Sequence, residues 1–155
     1  VAVYNTAIQE VTAEGIAEPS AMALATATAH GVPSVRTVLL KGMSDEGADF
    51  YSNYESRKGN ELAANPRAAG VMLWHEAGRQ VRFEGAVTRL TAQQSDEYFA
   101  SRPLGSRVSA VASPQSQRVA DRAELESRWQ AAQSHADQRP ESWGGFRIEI
   151  SRWAP

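Results

Sequence analysis

Two adjacent basic residues, Arg57 and Lys58, follow a serine at the start of a segment with helix-forming composition, SRKGNELAA at 56–64. Ser56 can cap such a helix, whose first turn presents unpaired backbone N–H groups and the positive end of the helix dipole. A phosphate placed there would accept hydrogen bonds from those N–H groups and from both basic side chains. The alternative is a solvated helix start, in which two basic residues oppose the dipole at a small electrostatic cost.

Two further groups of residues have the chemistry of an anion site. Arg36 and Lys41 bracket the apolar run of RTVLLK, and on a regular strand their spacing sends them to opposite faces. Tyr98 and Arg102 are one helical turn apart, with Ser106 shortly after them, and two hydroxyls with a guanidinium suit a phosphate monoester. The alternatives are strand ends anchored in water for the first group and an arginine stacked on a surface tyrosine for the second.

The sequence carries no pattern of a self-sufficient catalytic site. It has no Ser/His/Asp order, no glycine-rich dinucleotide loop and no P-loop. It contains no cysteine, and its three histidines, His30, His75 and His135, are widely spaced, so no metal site is predicted. No side chain is predicted to be catalytic, and an enzyme of this sequence would need a cofactor for the reactive chemistry.

Bulk composition indicates one soluble domain. The chain has 155 residues, and 16 basic against 18 acidic residues give a formal net charge of -2. This balance provides no general attraction to nucleic acid or to an anionic membrane. No apolar run reaches the roughly 18 residues of a membrane span, and the amino terminus has no signal-peptide pattern. We therefore expect a single domain over residues 1–155 and a cytoplasmic protein.

The first 90 residues are dominated by strand patterns. β-Branched, aromatic and apolar residues predict strands at 21–27, 34–41, 48–54, 68–75 and 79–90, with a helix at 56–64. The last two strands are joined by EAG, which favours an antiparallel hairpin. Short connections favour an antiparallel barrel over a parallel sheet, and Gly85 is predicted to mark a bulge or a bend of that barrel.

The second half is more helical. Thr91 and Gln94 have the spacing of a capping box and predict a helix that ends near Ser101. Residues 103–117 are small and polar and predict a loop. Residues 121–136 predict an amphipathic helix with Leu125 and Trp129 on its apolar face, and residues 145–150 predict a final strand.

These segments together resemble the pyridoxamine 5'-phosphate oxidase family, the FMN-dependent enzymes that produce pyridoxal 5'-phosphate. The resemblance is carried, in the family's order, by EPSAMALAT, RTVLLK, FYSNYESRKGNELAANPRA, WHEAGRQV, YFASRP, SPQSQ and WGGFR. It implies a mainly β fold with α-helices: an FMN-binding split β-barrel that is antiparallel, Greek-key-like and surrounded by peripheral helices. It also implies a homodimer with FMN at the subunit interface.

The resemblance implies two sets of ligand contacts. Those to FMN come from Arg36, Thr37, Val38, Leu39, Leu40, Lys41, Tyr51, Ser52, Arg57, Lys58, Gln80, Gln115 and Ser116. Those to the substrate come from Lys41, Tyr98, Arg102 and Ser106, the last three around its phosphate. The resemblance thus implies that the two candidate anion sites bind different phosphates. Residues 57–58 would bind that of FMN, and residues 98–106 would bind that of the substrate.

The implied activity is oxidation of pyridoxamine or pyridoxine 5'-phosphate to pyridoxal 5'-phosphate, with O₂ as acceptor and H₂O₂ as product. Leu104 and Val111 differ from the residues that the common vitamin enzymes have at these positions. In having a valine at position 111, the sequence resembles the related phenazine-biosynthesis flavin oxidases. A flavin oxidase of a dihydrophenazine-type substrate is therefore one alternative. A non-catalytic split-barrel protein that binds flavin or pyridoxal phosphate is the other. Lys41, Tyr98 and Ser106 favour the vitamin enzyme.

The sequence is shorter than the family pattern at two places, near 136–142 and between Ile150 and Ser151. In the family, the second place holds an Arg-Leu-His-x-Arg segment that contributes to the ligand sites. We expect these two places to be joins between segments of a longer protein. The alternative is a true deletion, which would remove the arginine and histidine expected over the substrate ring.

Overall fold

A computed structural model describes residues 2–154 of the chain, with side chains from residue 4 onward. The helices are α1 Ala2–Ala13, α2 Arg57–Ala64, α3 Ala92–Ser101, α4 Leu104–Ala112 and α5 Arg122–Ala132, with a 3-10 helix at Gln133–His135. The strands are β1 Ala21–Ala27, β2 Pro33–Ser44, β3 Gly47–Asn53, β4 Arg67–Trp74, β5 Arg79–Arg89 and β6 Trp143–Ala154.

The six strands close into a barrel in the order β1-β2-β3-β6-β5-β4. β1 pairs antiparallel with β2 and with β4, and β4 and β5 form a hairpin in which Trp74 pairs with Arg79. The predicted fold class, an antiparallel split barrel with peripheral helices, is confirmed. Short connections join β1 to β2, β2 to β3 and β4 to β5, as antiparallel neighbours allow, whereas residues 90–142 with α3, α4 and α5 lie between β5 and β6.

Contacts divide the chain into two compact units. Of the described residues, the first unit contains 2–50, 61–88 and 146–154, and the second contains 51–60 and 89–145. No helix within residues 2–154 combines the length and apolarity that a membrane-spanning helix requires.

The first unit has the alternating burial that the strand patterns predict. Along β1, every second residue is buried, so that Met22 and Leu24 are fully enclosed. Phe50 and Phe146 stack with ring centroids 5.2 Å apart. The indole N–H of Trp74 donates to the carbonyl of Pro19 at 2.9 Å, which satisfies the one polar atom of a buried ring.

The second unit departs from the sequence predictions in two ways. Residues 103–117 were predicted to form a loop, but Leu104–Ala112 is helix α4. Its small side chains allow close helix packing, so that Val108 and Ala112 form a core cluster with Ala132 and Ala136. The predicted apolar face of α5 is also wrong, because Leu125 and Trp129 are 42% and 40% exposed while the smaller Ala132 is buried.

Other boundaries differ less. The capping box is confirmed: the Thr91 hydroxyl accepts from the Gln94 N–H at 3.2 Å, and the Gln94 side chain accepts from the Thr91 N–H at 3.0 Å. Helix α1 had no sequence prediction. Strand β6 is longer than predicted, and its backbone continues through Ile150 and Ser151.

Gly85 lies where two barrel strands approach closely. Its pairing with β4 is regular, so it marks no bulge there, but a Cβ at this position would collide with the backbone carbonyl of Glu149.

Gly85→Ala is expected to lower the free energy of unfolding by about 3 kcal/mol, measured by urea denaturation. The reason is that the colliding atom belongs to the backbone, which cannot move aside as the end of a flexible side chain can. Gly105→Ala is the control: its Cβ meets nothing within 4 Å, so the helix should be unchanged or slightly more stable. Equal stability of both variants would contradict the packing argument.

Candidate functional site

In the second unit, Lys58 is the centre of a polar cluster. Its ammonium lies 2.9 Å from the Ser52 hydroxyl, 3.2 Å from the Ser56 hydroxyl and 2.6 Å from the Gln115 side-chain oxygen. The Ser52 hydroxyl in turn donates to Gln115 at 3.0 Å. Lys58 is only 5% exposed, so its charge is largely removed from water. These contacts bring together three of the residues predicted to hold FMN, namely Ser52, Lys58 and Gln115.

Three elements position this cluster. Ser52 comes from the end of β3, Lys58 from the first turn of α2, and Gln115 from the loop after α4. Ser56 caps α2, because its hydroxyl accepts from the Gly59 N–H at 3.3 Å. A buried ammonium, two hydroxyls and a helix amino terminus form a donor set that fits a phosphate monoester. Arg57, the other basic residue of this turn, is exposed.

A second feature of this unit is a stack of three aromatic rings. The Tyr51 and Tyr98 centroids are 3.8 Å apart with an interplanar angle of 18°. The Trp143 ring is nearly parallel to both, with its centroid 5.6 Å from Tyr51 and 6.2 Å from Tyr98. Phe99 meets Trp143 edge-on. The stack joins a predicted cofactor residue, Tyr51, to a predicted substrate residue, Tyr98.

Arg102 lies against this stack. Its guanidinium carbon is 4.7 Å from the Trp143 ring centroid, so the stacking partner is the tryptophan and not the tyrosine proposed from spacing. The Nη1 atom is buried and has no hydrogen-bond partner among residues 2–154. Burial lowers the pKa of Arg102, because it disfavours the charged form, and burial also raises the pKa of Tyr98. An unsatisfied guanidinium donor in such surroundings fits an anion.

The two glycines after Trp143 make room for neighbouring tyrosines. A Cβ on Gly145 would come within 2.8 Å of the Tyr51 ring, and one on Gly144 would overlap the Tyr54 hydroxyl. The Gly145 N–H donates to the buried Ser95 hydroxyl at 3.1 Å, which fixes the start of β6 against α3. The WGG motif thus allows the rings to approach the backbone closely.

In the first unit, Arg36 is held by a buried carboxylate. Glu61 is 5% exposed, and its Oε2 atom accepts from Thr26 and Ser34 at 2.5 Å each and from the Arg36 guanidinium at 3.4 Å. Arg36 also donates to the Thr26 hydroxyl at 2.5 Å and to the Leu24 carbonyl at 3.2 Å. The guanidinium of this predicted FMN residue is therefore engaged within its own unit.

The remaining predicted residues of the first unit lie on β2 and β5. Lys41 is exposed and is the extra residue of a bulge, because Leu40 pairs with Phe50 while Gly42 pairs with the adjacent Asp49. Gln80 is exposed and pairs with Leu73. The other members of the β2 run range from exposed to buried: Thr37, Val38, Leu39 and Leu40. Within the described part of the chain, no three acidic or histidine side chains are placed to hold a metal ion.

Glu61→Ala is expected to destabilise the protein by about 3 kcal/mol, because it removes the carboxylate that pairs with Arg36 and accepts from the Thr26 and Ser34 hydroxyls. Glu61→Gln retains an acceptor and should cost about 1 kcal/mol. Chemical denaturation measures both, and Glu126→Ala, which removes an exposed helix pair with Arg122, should have no measurable effect. A Glu61→Ala protein as stable as the unaltered chain would show that the network contributes nothing to stability.

Two further predicted residues, Ser106 and Ser116, lie on α4 and in the loop after it. Ser106 is half-buried in the first turn of α4, where its N–H donates to the Pro103 carbonyl at 2.9 Å. Ser116 is exposed and has a positive φ of 69°, a conformation that a serine adopts rarely. The site residues that the sequence predictions missed are Glu61 and Trp143. The tryptophan before two glycines was the available signal for the second, whereas no local pattern indicated the first.

Comparisons with known proteins agree with this geometry. The family model described as "Pyridoxamine 5'-phosphate oxidase" matches residues 8–136. A pyridoxine/pyridoxamine 5'-phosphate oxidase of Paraburkholderia phytofirmans is 48% identical over 148 residues, which are 94% of this chain and 70% of that protein. One of Bordetella petrii is 54% identical over 136 residues, which are 86% of this chain and 64% of that protein. The chain thus spans about two thirds of the length of these relatives.

Solved structures agree as well. PhzG from Burkholderia lata 383, solved in complex with tetrahydrophenazine-1-carboxylic acid, is 28% identical with a TM-score of 0.90, covering 96% of this chain and 75% of that one. A pyridoxamine 5'-phosphate oxidase-related, FMN binding protein from Nostoc punctiforme has a TM-score of 0.73 at 14% identity, covering 88% and 74%. The second likeness is evidence of the fold alone.

Proposed function

This chain belongs to the pyridoxamine 5'-phosphate oxidase family. From that premise we propose that it oxidises pyridoxamine or pyridoxine 5'-phosphate to pyridoxal 5'-phosphate with FMN and O₂, releasing H₂O₂ and, from the amine, also ammonia with the uptake of one water. The observation that carries the proposal lies within the second unit. There, a buried ammonium cluster and a guanidinium with an unsatisfied donor are two groups whose chemistry suits anions. The reaction requires two phosphates, one on the cofactor and one on the substrate.

We assign the FMN phosphate to the Lys58 cluster. Two hydroxyls and an amide oxygen already lie within 3.2 Å of the Lys58 ammonium, so this group is ordered before a ligand arrives. A dianion near Lys58 would accept charge-assisted hydrogen bonds, and it would reverse the unfavourable effect of basic residues in the first turn of α2. Arg57, exposed in the same turn, can reach over the phosphate from the solvent side.

We assign the substrate phosphate to Arg102, with Tyr98 and Ser106 as further donors. Arg102 offers a buried N–H that has no acceptor among the described residues, and a phosphate oxygen would satisfy it. Its guanidinium carbon lies 4.7 Å from the Trp143 ring centroid, and a planar guanidinium can form two parallel hydrogen bonds to one phosphate. Lys41, exposed on the bulge of β2, is proposed as a further substrate contact.

FMN, when bound, would accept the hydride equivalent from C4' of the vitamer and pass the electrons to O₂. The chain's own contribution is positional: the Lys58 cluster and Arg102 each hold a phosphate, so that both reactants have one orientation.

We propose a homodimer as the working form. In the first unit, the register of β1, β2 and β4 places Ala25, Val35 and Ala69 in one row, beside a groove of about 280 Å³. Val35 and, on β4, Leu73 are 69% and 63% exposed, so this sheet carries apolar surface that a second copy could cover. Sedimentation equilibrium of the FMN-loaded protein tests this, and a monomer at micromolar concentration would contradict it.

The activity is tested by adding pyridoxine 5'-phosphate to FMN-loaded protein under air and identifying pyridoxal 5'-phosphate by chromatography. Unphosphorylated pyridoxine is the control, because it lacks the group that Arg102 is proposed to bind. Product from the phosphorylated vitamer alone is the expected result. Equal turnover of both vitamers would contradict the proposal that Arg102 binds the substrate phosphate.

A second candidate is a flavin oxidase of a dihydrophenazine-type aromatic acid. The likeness to PhzG, with a TM-score of 0.90, favours it. The position that suggested this alternative, Val111, packs against the α4–α5 core cluster and therefore has a structural role of its own. Offering both substrates to one preparation separates the candidates, and a preference for the dihydrophenazine acid would reverse their order.

A further inference from the structure

Trp143 contacts three residues with proposed ligand roles, yet it has no such role itself. Its ring stacks on Tyr51 and Tyr98, and the guanidinium of Arg102 lies over it. The side chain is 6% exposed, so it contributes almost no surface to a ligand. A buried ring in this position can act on a ligand only through its neighbours.

The Trp143 ring is itself fixed in place. Arg139 donates from Nη1 to the Trp143 carbonyl at 2.6 Å and from Nε to Asp96 on α3 at 2.6 Å. Phe99, on the same helix, packs edge-on against the indole. The backbone and the ring of Trp143 are thus both tied to α3, the helix whose C-cap is Arg102.

We propose that Trp143 is a positioning residue: its ring holds the Arg102 guanidinium in one plane, with Nη1 directed at the substrate phosphate, by a cation–π contact at 4.7 Å. An arginine side chain has several rotatable bonds, and without the ring its head would sample many orientations. The ordered orientation spares that entropy when the phosphate binds. This inference rests on the proposed function, since it takes the anion at Arg102 to be the substrate phosphate.

The test is calorimetric binding of pyridoxal 5'-phosphate to FMN-loaded protein, with variants of Trp143 alone and combined with Arg102→Leu. Trp143→Leu is expected to weaken binding about tenfold in the Arg102 protein. In the Arg102→Leu background, the same change should have no further effect, because the ring then has no guanidinium to orient. Trp129→Leu, which alters an exposed tryptophan on α5, is the matched control and should bind normally.

Equal losses in both backgrounds would overturn the inference, because a general packing role does not depend on Arg102. Unaltered binding by a folded Trp143→Leu protein would also overturn it. If Trp143→Leu does not fold, Trp143→Phe takes its place. We then expect the affinity for pyridoxal 5'-phosphate to fall by about threefold in the Arg102 protein and not at all in the Arg102→Leu background. If the unaltered protein does not bind pyridoxal 5'-phosphate, the proposed function fails, and the same cycle measured with inorganic phosphate then decides the role of Trp143.

Discussion

Replacing Arg57 and Lys58 together by alanine is expected to release FMN, with affinity lowered on the order of 100-fold or more, because each charge-assisted hydrogen bond to a phosphate contributes about 1.5–3 kcal/mol. Lys58 should account for most of this loss, since its ammonium is buried among Ser52, Ser56 and Gln115, whereas Arg57 is exposed. Quenching of flavin fluorescence on binding gives the dissociation constant directly.

Lys58→Met sharpens this experiment, because it keeps the apolar stem and removes the ammonium with its charge and its three hydrogen bonds. Its FMN affinity should fall nearly as far as that of the double variant, and the unfolding midpoint of the FMN-free protein, measured beside it, separates lost binding from lost stability. Arg122→Ala, a change at an exposed arginine of α5, is the control for a general effect of net charge. Unaltered flavin affinity in Lys58→Met would show that the cofactor phosphate has been assigned to the wrong cluster.

Arg102→Ala is expected to raise KM for pyridoxine 5'-phosphate about 100-fold while FMN remains bound, because a buried guanidinium that pairs with a phosphate is worth roughly 3 kcal/mol. The orphaned Nη1 atom is the physical reason: it has already lost its water and gains an acceptor only when the substrate is present. Steady-state kinetics give KM, and the flavin absorbance of the desalted protein reports cofactor retention.

Two variants bracket this result. Arg102→Lys retains the charge but loses the planar fork and the stacking on Trp143, so its KM should lie between those of the alanine variant and the unaltered protein. Arg118→Ala changes an exposed arginine of the same unit and should have no effect. Loss of flavin from Arg102→Ala with unchanged substrate affinity would contradict the assignment of the two phosphates.

Local patterns predicted most of the fold. The strand of residues 21–27 was predicted with its observed bounds, and the capping box of Thr91 and Gln94 fixed the start of α3. These features depend on residues that are neighbours in sequence. Helix α4 was missed because serines and glycine dilute its apolar pattern, and it is stabilised instead by packing of Val108 and Ala112 against α5.

The candidate site was less accessible to sequence reasoning. Its phosphate-binding residue types could be proposed from spacing and from the family resemblance, but their partners could not. Glu61 contacts Arg36, which is 25 positions away in the sequence, and Trp143 contacts Arg102, which is 41 positions away. Such contacts arise from chain topology, so no local periodicity encodes them. The same holds for the exposure of Leu125 and Trp129, which depends on which face of α5 packs on α4.

The most direct test of the proposed oxidase is the stoichiometry of H₂O₂ released by purified, FMN-loaded protein supplied with a limiting amount of pyridoxine 5'-phosphate. One H₂O₂ and one pyridoxal 5'-phosphate for each vitamer consumed is the predicted result. A yellow, folded protein that consumes no vitamer and releases no H₂O₂ would contradict the oxidase and leave a flavin-binding split barrel without this activity.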